Sequence, residues 1–233
     1  MSRTRSERVN LARILTVTND SRSSLKQQME SIYQELTPER IPWNLEDPPE
    51  LLVDLVESKR ILPCETVDLG CGAGNYAVWF ASMDFEVTGI DLSPKAIEMA
   101  QELSRKKGVT CDFMAEDLTG DLGRFHQSFD FAYDWEVLHH VFPEDRDQYV
   151  LNVQKLLKPG GSYLSVCFSE EDPSFGGAGK YRKTPLGTEL YFSSEKELRE
   201  LFTPHFQVDE LRTSEITGKY GEHKAIVAWM KRS

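Results

Sequence analysis

Residues 66–74 read Thr-Val-Asp-Leu-Gly-Cys-Gly-Ala-Gly, an apolar strand running into a turn with glycine at alternate positions. A helical stretch follows from Asn75. A second apolar run, Glu86–Ile90, then ends on a carboxylate, Asp91, 23 residues after Asp68. Strand, glycine turn, helix and strand with a terminal acid is the order that opens a nucleotide-binding crevice at the carboxyl ends of parallel strands. Glycine leaves no Cβ between backbone and ligand, and the N–H groups at the helix start point outward toward it.

The rest of the chain extends this unit. Strand and helix patterns alternate from Glu65, which predicts a parallel sheet. The expected strands are Thr66–Leu69, Glu86–Ile90, about Thr110–Ala115, Phe129–Tyr133 and Ser162–Phe168. Ser93 and Pro94 form an N-cap and first helical residue. A helix over about Glu144–Leu157 is expected to stop at Lys158-Pro159-Gly160-Gly161. Ser194 and Glu197 have capping-box spacing. Two final strand-like runs, Phe206–Leu211 and Ala225–Trp229, flank a turn at Gly218–Gly221 and predict an antiparallel hairpin. Before the sheet, Leu25, Met29, Ile32 and Leu36 share one helix face. Asp47 is expected to cap a second helix whose first turn holds Pro48 and Pro49. The expected division is a tail and capping helices over residues 1–59 and a catalytic domain over 60–233.

Charge narrows the choice of partner. The net charge is −11; residues 1–19 hold four arginines and one glutamate (+3), which leaves −14 for the remainder. A body this acidic repels a phosphate backbone, so nucleic acid is not the expected substrate. No apolar run approaches the roughly 20 residues that span a bilayer, and no signal peptide is expected. Cys64, Cys71, Cys111 and Cys167 form no C-x-x-C pair, which suggests a reduced, cytoplasmic chain without a structural metal. Arg3, Arg5, Arg8 and Arg13 suit a solvated tail or a helical lid, with an organelle-targeting segment as the alternative.

Five ordered motifs carry a family likeness: Val67-Asp68-Leu69-Gly70-Cys71-Gly72-Ala73-Gly74; Ile90-Asp91-Leu92-Ser93; Ala115-Glu116-Asp117-Leu118; Phe129-Asp130 with Val137-Leu138-His139-His140-Val141; and Leu157-Lys158-Pro159-Gly160-Gly161. Over about residues 60–232 the chain resembles the class I S-adenosylmethionine-dependent methyltransferases. The resemblance implies a doubly wound, Rossmann-like α/β sandwich with a seven-stranded, mostly parallel sheet ending in an antiparallel hairpin. It also implies a cofactor, S-adenosyl-L-methionine, leaving as S-adenosyl-L-homocysteine. Gly70, Gly72 and Gly74 would face the methionine or ribose, and Asp68 the methionine amine. Asp91 and Leu92 would hold the ribose side, and Asp117 and Leu118 the adenine.

On the acceptor side, Ile41-Pro42-Trp43-Asn44 resembles the lid segment of small-molecule methyltransferases of the thiopurine, thiol, halide and tellurite group. Trp43 and Trp135 are the expected substrate walls, with Glu136 and His139 as candidate bases. The long loop Ser169–Leu190 offers Phe175, Tyr181, Arg182 and Lys183 to an anionic or aromatic acceptor. Rival readings are a nicotinamide oxidoreductase, a protein or nucleic-acid methyltransferase, and a non-catalytic cofactor-binding partner subunit. The G-x-G-x-x-G/A fingerprint fails from Gly70 at Asn75 and fits loosely from Gly72 through Ala77. A P-loop is ruled out by Ser174 and Tyr181 around Gly179-Lys180. Asp47-Pro48-Pro49 lacks the following aromatic that would stack a flipped base. A monomer or a homodimer is expected.

Overall fold

The structure is a computed structural model that describes residues 21–233, so the four N-terminal arginines lie outside the described residues. Two helices come first, α1 (Ser21–Glu35) and α2 (Glu50–Glu57). The alternating part follows: β1 (Glu65–Leu69), α3 (Asn75–Ser82), β2 (Glu86–Asp91), α4 (Pro94–Lys107), β3 (Asp112–Ala115), β4 (Phe129–Trp135), α5 (Pro143–Leu156) and β5 (Leu157–Phe168). Then come the short strands β6 (Tyr181–Lys183) and β7 (Glu189–Tyr191), α6 (Glu195–Phe202), β8 (Phe206–Gly218) and β9 (Gly221–Arg232).

Seven strands form one sheet in the order β3-β2-β1-β4-β5-β9-β8. β1 to β5 are mutually parallel; β9 runs antiparallel to both β5 and β8. The expected sheet and its terminal hairpin are both present. β1 is buried at four of its five positions, Thr66 and Asp68 included, because helices cover both faces of the sheet. Leu52, Phe80, Ile97 and Ala100 from α2, α3 and α4 pack with Phe131, Tyr133 and Trp135 of β4 on one face. Tyr149 and Val153 of α5 and Leu198 and Phe202 of α6 pack with Val67, Leu69 and Ala132 on the other.

Local signals explain the element ends. The Ser93 hydroxyl accepts the Ala96 N–H at 3.0 Å and Pro94 follows it, while Gly108 ends α4 in the left-handed region. Ser194 and Glu197 form the capping box that opens α6.

Four expectations change. Asp47 caps nothing: α2 begins after Pro49, so both prolines precede the helix. Lys158–Gly161 stops α5 but then belongs to β5, whose register against β4 shifts between Phe129 and Phe131 to absorb the glycines. Cys111 lies just before β3, whereas Cys167 is buried in β5; all four cysteines are free thiols. The 169–190 segment contains the β6–β7 hairpin. Buried Arg182 folds that segment inward by donating to the carbonyls of Glu170, Asp172, Ser174 and Gly179.

Candidate active site

Strand order reverses between β1 and β4, and a cavity of about 330 Å³ opens where these two strands end. Its size falls at the lower end of the range for small-ligand pockets, roughly 300–1,000 Å³. The glycine turn forms one wall. Gly70 and Cys71 donate N–H groups to the Ile90 carbonyl at 2.7 and 3.0 Å, locking the turn onto β2. Gly70 has φ +75°, and a Cβ there would sit on the Val137 side chain. At Gly72 (φ +53°) a Cβ would stand 2.8 Å from the Tyr33 hydroxyl of α1. These approaches keep the backbone bare toward the cavity. Gly74 serves a different purpose: it starts α3, faces Ala100 of α4 and does not line the cavity.

Two buried carboxylates face this wall. Asp91 Oδ2 accepts the Gly72 N–H at 2.9 Å, and Oδ1 accepts the Ser93 N–H at 2.8 Å. Oδ2 therefore holds the glycine turn and Oδ1 the start of α4, and the carboxylate keeps acceptor capacity for a ligand hydroxyl. Burial raises the Asp91 carboxyl above its ordinary range, and the amides of Ser93, Gly72 and Leu92 draw it back. At Asp68 the opposing pull of Tyr133 and the Ala77 N–H is too small to offset burial. Its burial, reinforced by the charges of Asp91 and Asp134, pushes it up to about 7. A cation placed beside it would restore the ionised form.

The loop after β3 supplies a third acid. The N–H of Glu116 donates to the Asp91 carbonyl at 2.9 Å, and Asp117 Oδ1 accepts the Thr119 N–H and hydroxyl at 2.8 and 2.7 Å. Asn152 of α5 pins this loop, donating to the carbonyls of Leu118 and Gly120 at 2.9 and 2.8 Å. Asn152 carries no motif in the sequence, and it lies more than 30 residues from the loop carbonyls it holds.

The opposite side is built from distant segments. The Trp43 indole N–H donates to the Tyr33 hydroxyl at 2.8 Å, and Asn75 donates its side-chain amide to Asn44 Oδ1 at 2.8 Å. Glu30 of α1 accepts from the Ser93 hydroxyl at 2.5 Å and the Lys95 N–H at 3.2 Å, docking the helix beside Asp91. Trp135, Tyr76, Val141 and Phe142 complete an aromatic and aliphatic wall. Glu136 leaves β4 with φ +63°, a conformation non-glycine residues rarely adopt and one found at functional positions. Its N–H is held by the Val166 carbonyl at 2.8 Å. Burial, with Asp172 adding repulsion, lifts its carboxyl to about 7.

The two histidines separate. His139 is buried outside the cavity, stacked on Phe168 with ring centroids 4.3 Å apart. Burial holds its pKa well below the ordinary histidine range. The short helical turn Leu138–His140 swings its neighbour His140 into the cavity instead, where burial lowers it to about 4 and Nδ1 has no protein partner. Asp134 of β4, beside Trp135 in the chain, points to the other face. It accepts from Tyr149, Tyr163 and Ser165 there. Phe175, Tyr181, Arg182 and Lys183 do not line the cavity either. The sequence-derived residues that do meet in it are Trp43, Asp68, Gly70, Gly72, Asp91, Leu92, Asp117, Leu118, Trp135 and Glu136.

A methyltransferase domain family matches residues 66–161. Probable thiol methyltransferase 2 of Arabidopsis thaliana is 30% identical over 171 residues, covering 67% of this chain and 73% of the relative. The 2-heptyl-1-hydroxyquinolin-4(1H)-one methyltransferase of Mycobacteroides abscessus is 27% identical over 199 residues, covering 81% and 80%. In fold, the chain is like the Burkholderia thailandensis 1,6-didemethyltoxoflavin-N1-methyltransferase, solved with S-adenosylhomocysteine bound. That match has a TM-score of 0.63 at 18% identity and covers 100% of this chain and 92% of the other. The chain belongs to the class I S-adenosylmethionine-dependent methyltransferases. S-adenosylmethionine is its cofactor, and the donor set suits it: a glycine wall without side chains, a carboxylate with free lone pairs for a diol, and a buried acid that favours a cation.

Proposed function

We propose that the cavity is divided between donor and acceptor. On the donor side Asp91 accepts the ribose hydroxyls, Asp68 the methionine ammonium and Asp117 the adenine amino group, with Leu92 and Leu118 against the rings. On the acceptor side Trp43, Trp135 and Tyr76 wall a mostly apolar molecule that carries one weakly acidic O–H, N–H or S–H group. When bound, S-adenosylmethionine supplies a methyl group already activated on a sulfonium. The chain's task is then to align the acceptor and exclude water. Glu136 takes the acceptor's proton. A carboxylate that titrates near 7 is a far better match to neutral operation than His140 at about 4.

The observation that carries this reading is Glu136: a half-buried carboxyl near neutrality, held in a rare backbone conformation, in one cavity with Asp68 and Asp91. Capping of residues 60–233 by the N-terminal helices is part of the same reading. So are a cytoplasmic setting and a monomer or homodimer free of nucleic acid, supported by the net charge of −11 and four free thiols. No helix among the described residues is long and apolar enough to cross a membrane.

The test is an acceptor panel of phenols, N-hydroxy heterocycles, amines, thiols and halide or thiocyanate ions, assayed with wild type and Glu136→Gln. Turnover of an O–H or N–H acceptor should fall about 10²–10⁴-fold in the variant, the range for loss of a general base. Anions with no proton to lose should change only a few-fold. Equal losses on both kinds of acceptor would remove Glu136 as the base.

A further inference from the structure

The β8–β9 hairpin projects beyond the sheet and turns at Gly218–Gly221, with Lys219 at the tip. A lysine at a hairpin tip ordinarily extends into water. Here its ammonium reaches the segment between α1 and α2. Nζ stands 3.0 Å from the Ile41 carbonyl, 3.1 Å from that of Asn44 and 3.5 Å from that of Pro38. An ammonium has three N–H donors and no acceptor, so this set of three carbonyls uses it fully. The carbonyls keep local partners as well: Ile41 N–H and the Asn44 side chain on Pro38, and Asn44 N–H on Ile41. Lys219 therefore takes lone pairs that the turn leaves over on Ile41 and Asn44, and touches Pro38, whose two lone pairs already have local donors, only at the 3.5 Å limit.

The segment it grips carries Trp43 and Asn44 into the cavity wall. Its other hydrogen bonds run to Tyr33 on α1 and to Asn75 on α3. Ile41 is fully buried beside Ile32, Tyr33 and Ala96, so the segment is seated on the body and closed from above by a residue some 180 positions away. We infer that Lys219 is a positioning residue: it latches the lid that holds Trp43 over the cavity, and so sets how long donor, product and acceptor stay bound. A compact, three-donor point charge suits converging carbonyls, whereas the planar fork of arginine does not.

This inference rests on the cavity being the donor and acceptor site, and the experiment separates the two. Dissociation of S-adenosylhomocysteine is followed by stopped-flow tryptophan fluorescence in wild type, Lys219→Met and Lys219→Asn. Asparagine is a favoured hairpin-turn residue, so the second variant keeps the hairpin. We expect the off-rate to rise about tenfold in both, with KM for donor and acceptor rising in step and kcat not reduced. Combining Lys219→Met with Trp43→Phe should give less than the product of the two single effects, because both act through one lid. Unchanged off-rates in both variants, or independent multiplication with Trp43→Phe, would overturn the latch. Absence of S-adenosylhomocysteine binding in wild type would instead overturn the reading of the cavity.

Discussion

The two halves of the cavity are made differently. The half we assign to the donor is a product of backbone: the glycine turn, the ends of β1 and β2 and the loop after β3, all within residues 68–119 and tied by amide hydrogen bonds to one another. The acceptor half is assembled from side chains of α1, the Pro38–Asn44 segment, α3 and the turn after β4, and is held from outside by the hairpin tip. Backbone geometry set by sheet register changes little when side chains are exchanged. A wall of docked side chains can be retuned one residue at a time. One chain can thus keep its donor while its acceptor changes, as the differing acceptors named for its relatives illustrate.

If the donor half depends on backbone, the largest effect should come from filling it. Gly70→Ala combines a left-handed φ with a Cβ on Val137, together worth roughly 2–4 kcal/mol. We expect loss of measurable cofactor binding and a lower melting temperature. Adding Val137→Ala should recover part of the stability but not all, because the backbone strain remains. Full recovery would show that sterics alone matter at Gly70.

A second prediction uses pH. Asp68 in the unliganded protein sits near 7, above its unfolded value near 3.9. The sign is that of a raised acid: folding stability is favoured while it is protonated and is lost as pH rises through about 7. Binding of a cationic amine favours the ionised form, so cofactor affinity should tighten as pH rises from about 5.5 to 7.5, with a limiting slope of tenfold per unit. Asp68→Asn should bind more weakly at pH 7.5 and lose this dependence. A slope that persists in the variant would assign it to another group.

How far the sequence reaches follows from the same contrast. The donor half was legible because its residues are close in the chain and each has a local backbone reason: the glycine turn, the Ser93 cap, the acid ending β2. The acceptor half was legible only in pieces. Trp43, Trp135 and Glu136 line the cavity, but of the adjacent histidines the sequence favours His139, whereas a single 3₁₀ turn faces His140 inward and His139 away. Arg182 was misread because a cation in a glycine-rich loop resembles a ligand contact. Its burial among four carbonyls depends on the β6–β7 hairpin, for which the sequence has little signal. Asn152 and Lys219 were invisible because their partners are backbone carbonyls, which no motif records.

The smallest effect should come from Asn152. Asn152→Ala removes two hydrogen bonds to the loop that presents Asp117, each worth about 1 kcal/mol. Cofactor affinity should fall by less than about tenfold with the fold intact. A loss as large as that from Gly70→Ala would mean that this loop, rather than the glycine turn, dominates the donor half.

Asp91 offers the most direct test of the central claim, because its carboxylate both shapes the glycine turn and keeps acceptor capacity for the donor. The measurement is calorimetric titration of S-adenosylhomocysteine into wild type and Asp91→Asn, the amide retaining one acceptor and the shape of the side chain. The account predicts clear binding to wild type and at least about 100-fold weaker binding to the variant, in protein whose circular dichroism is unchanged. Equal affinity in the two would contradict it, and would place the ribose contact elsewhere in the cavity.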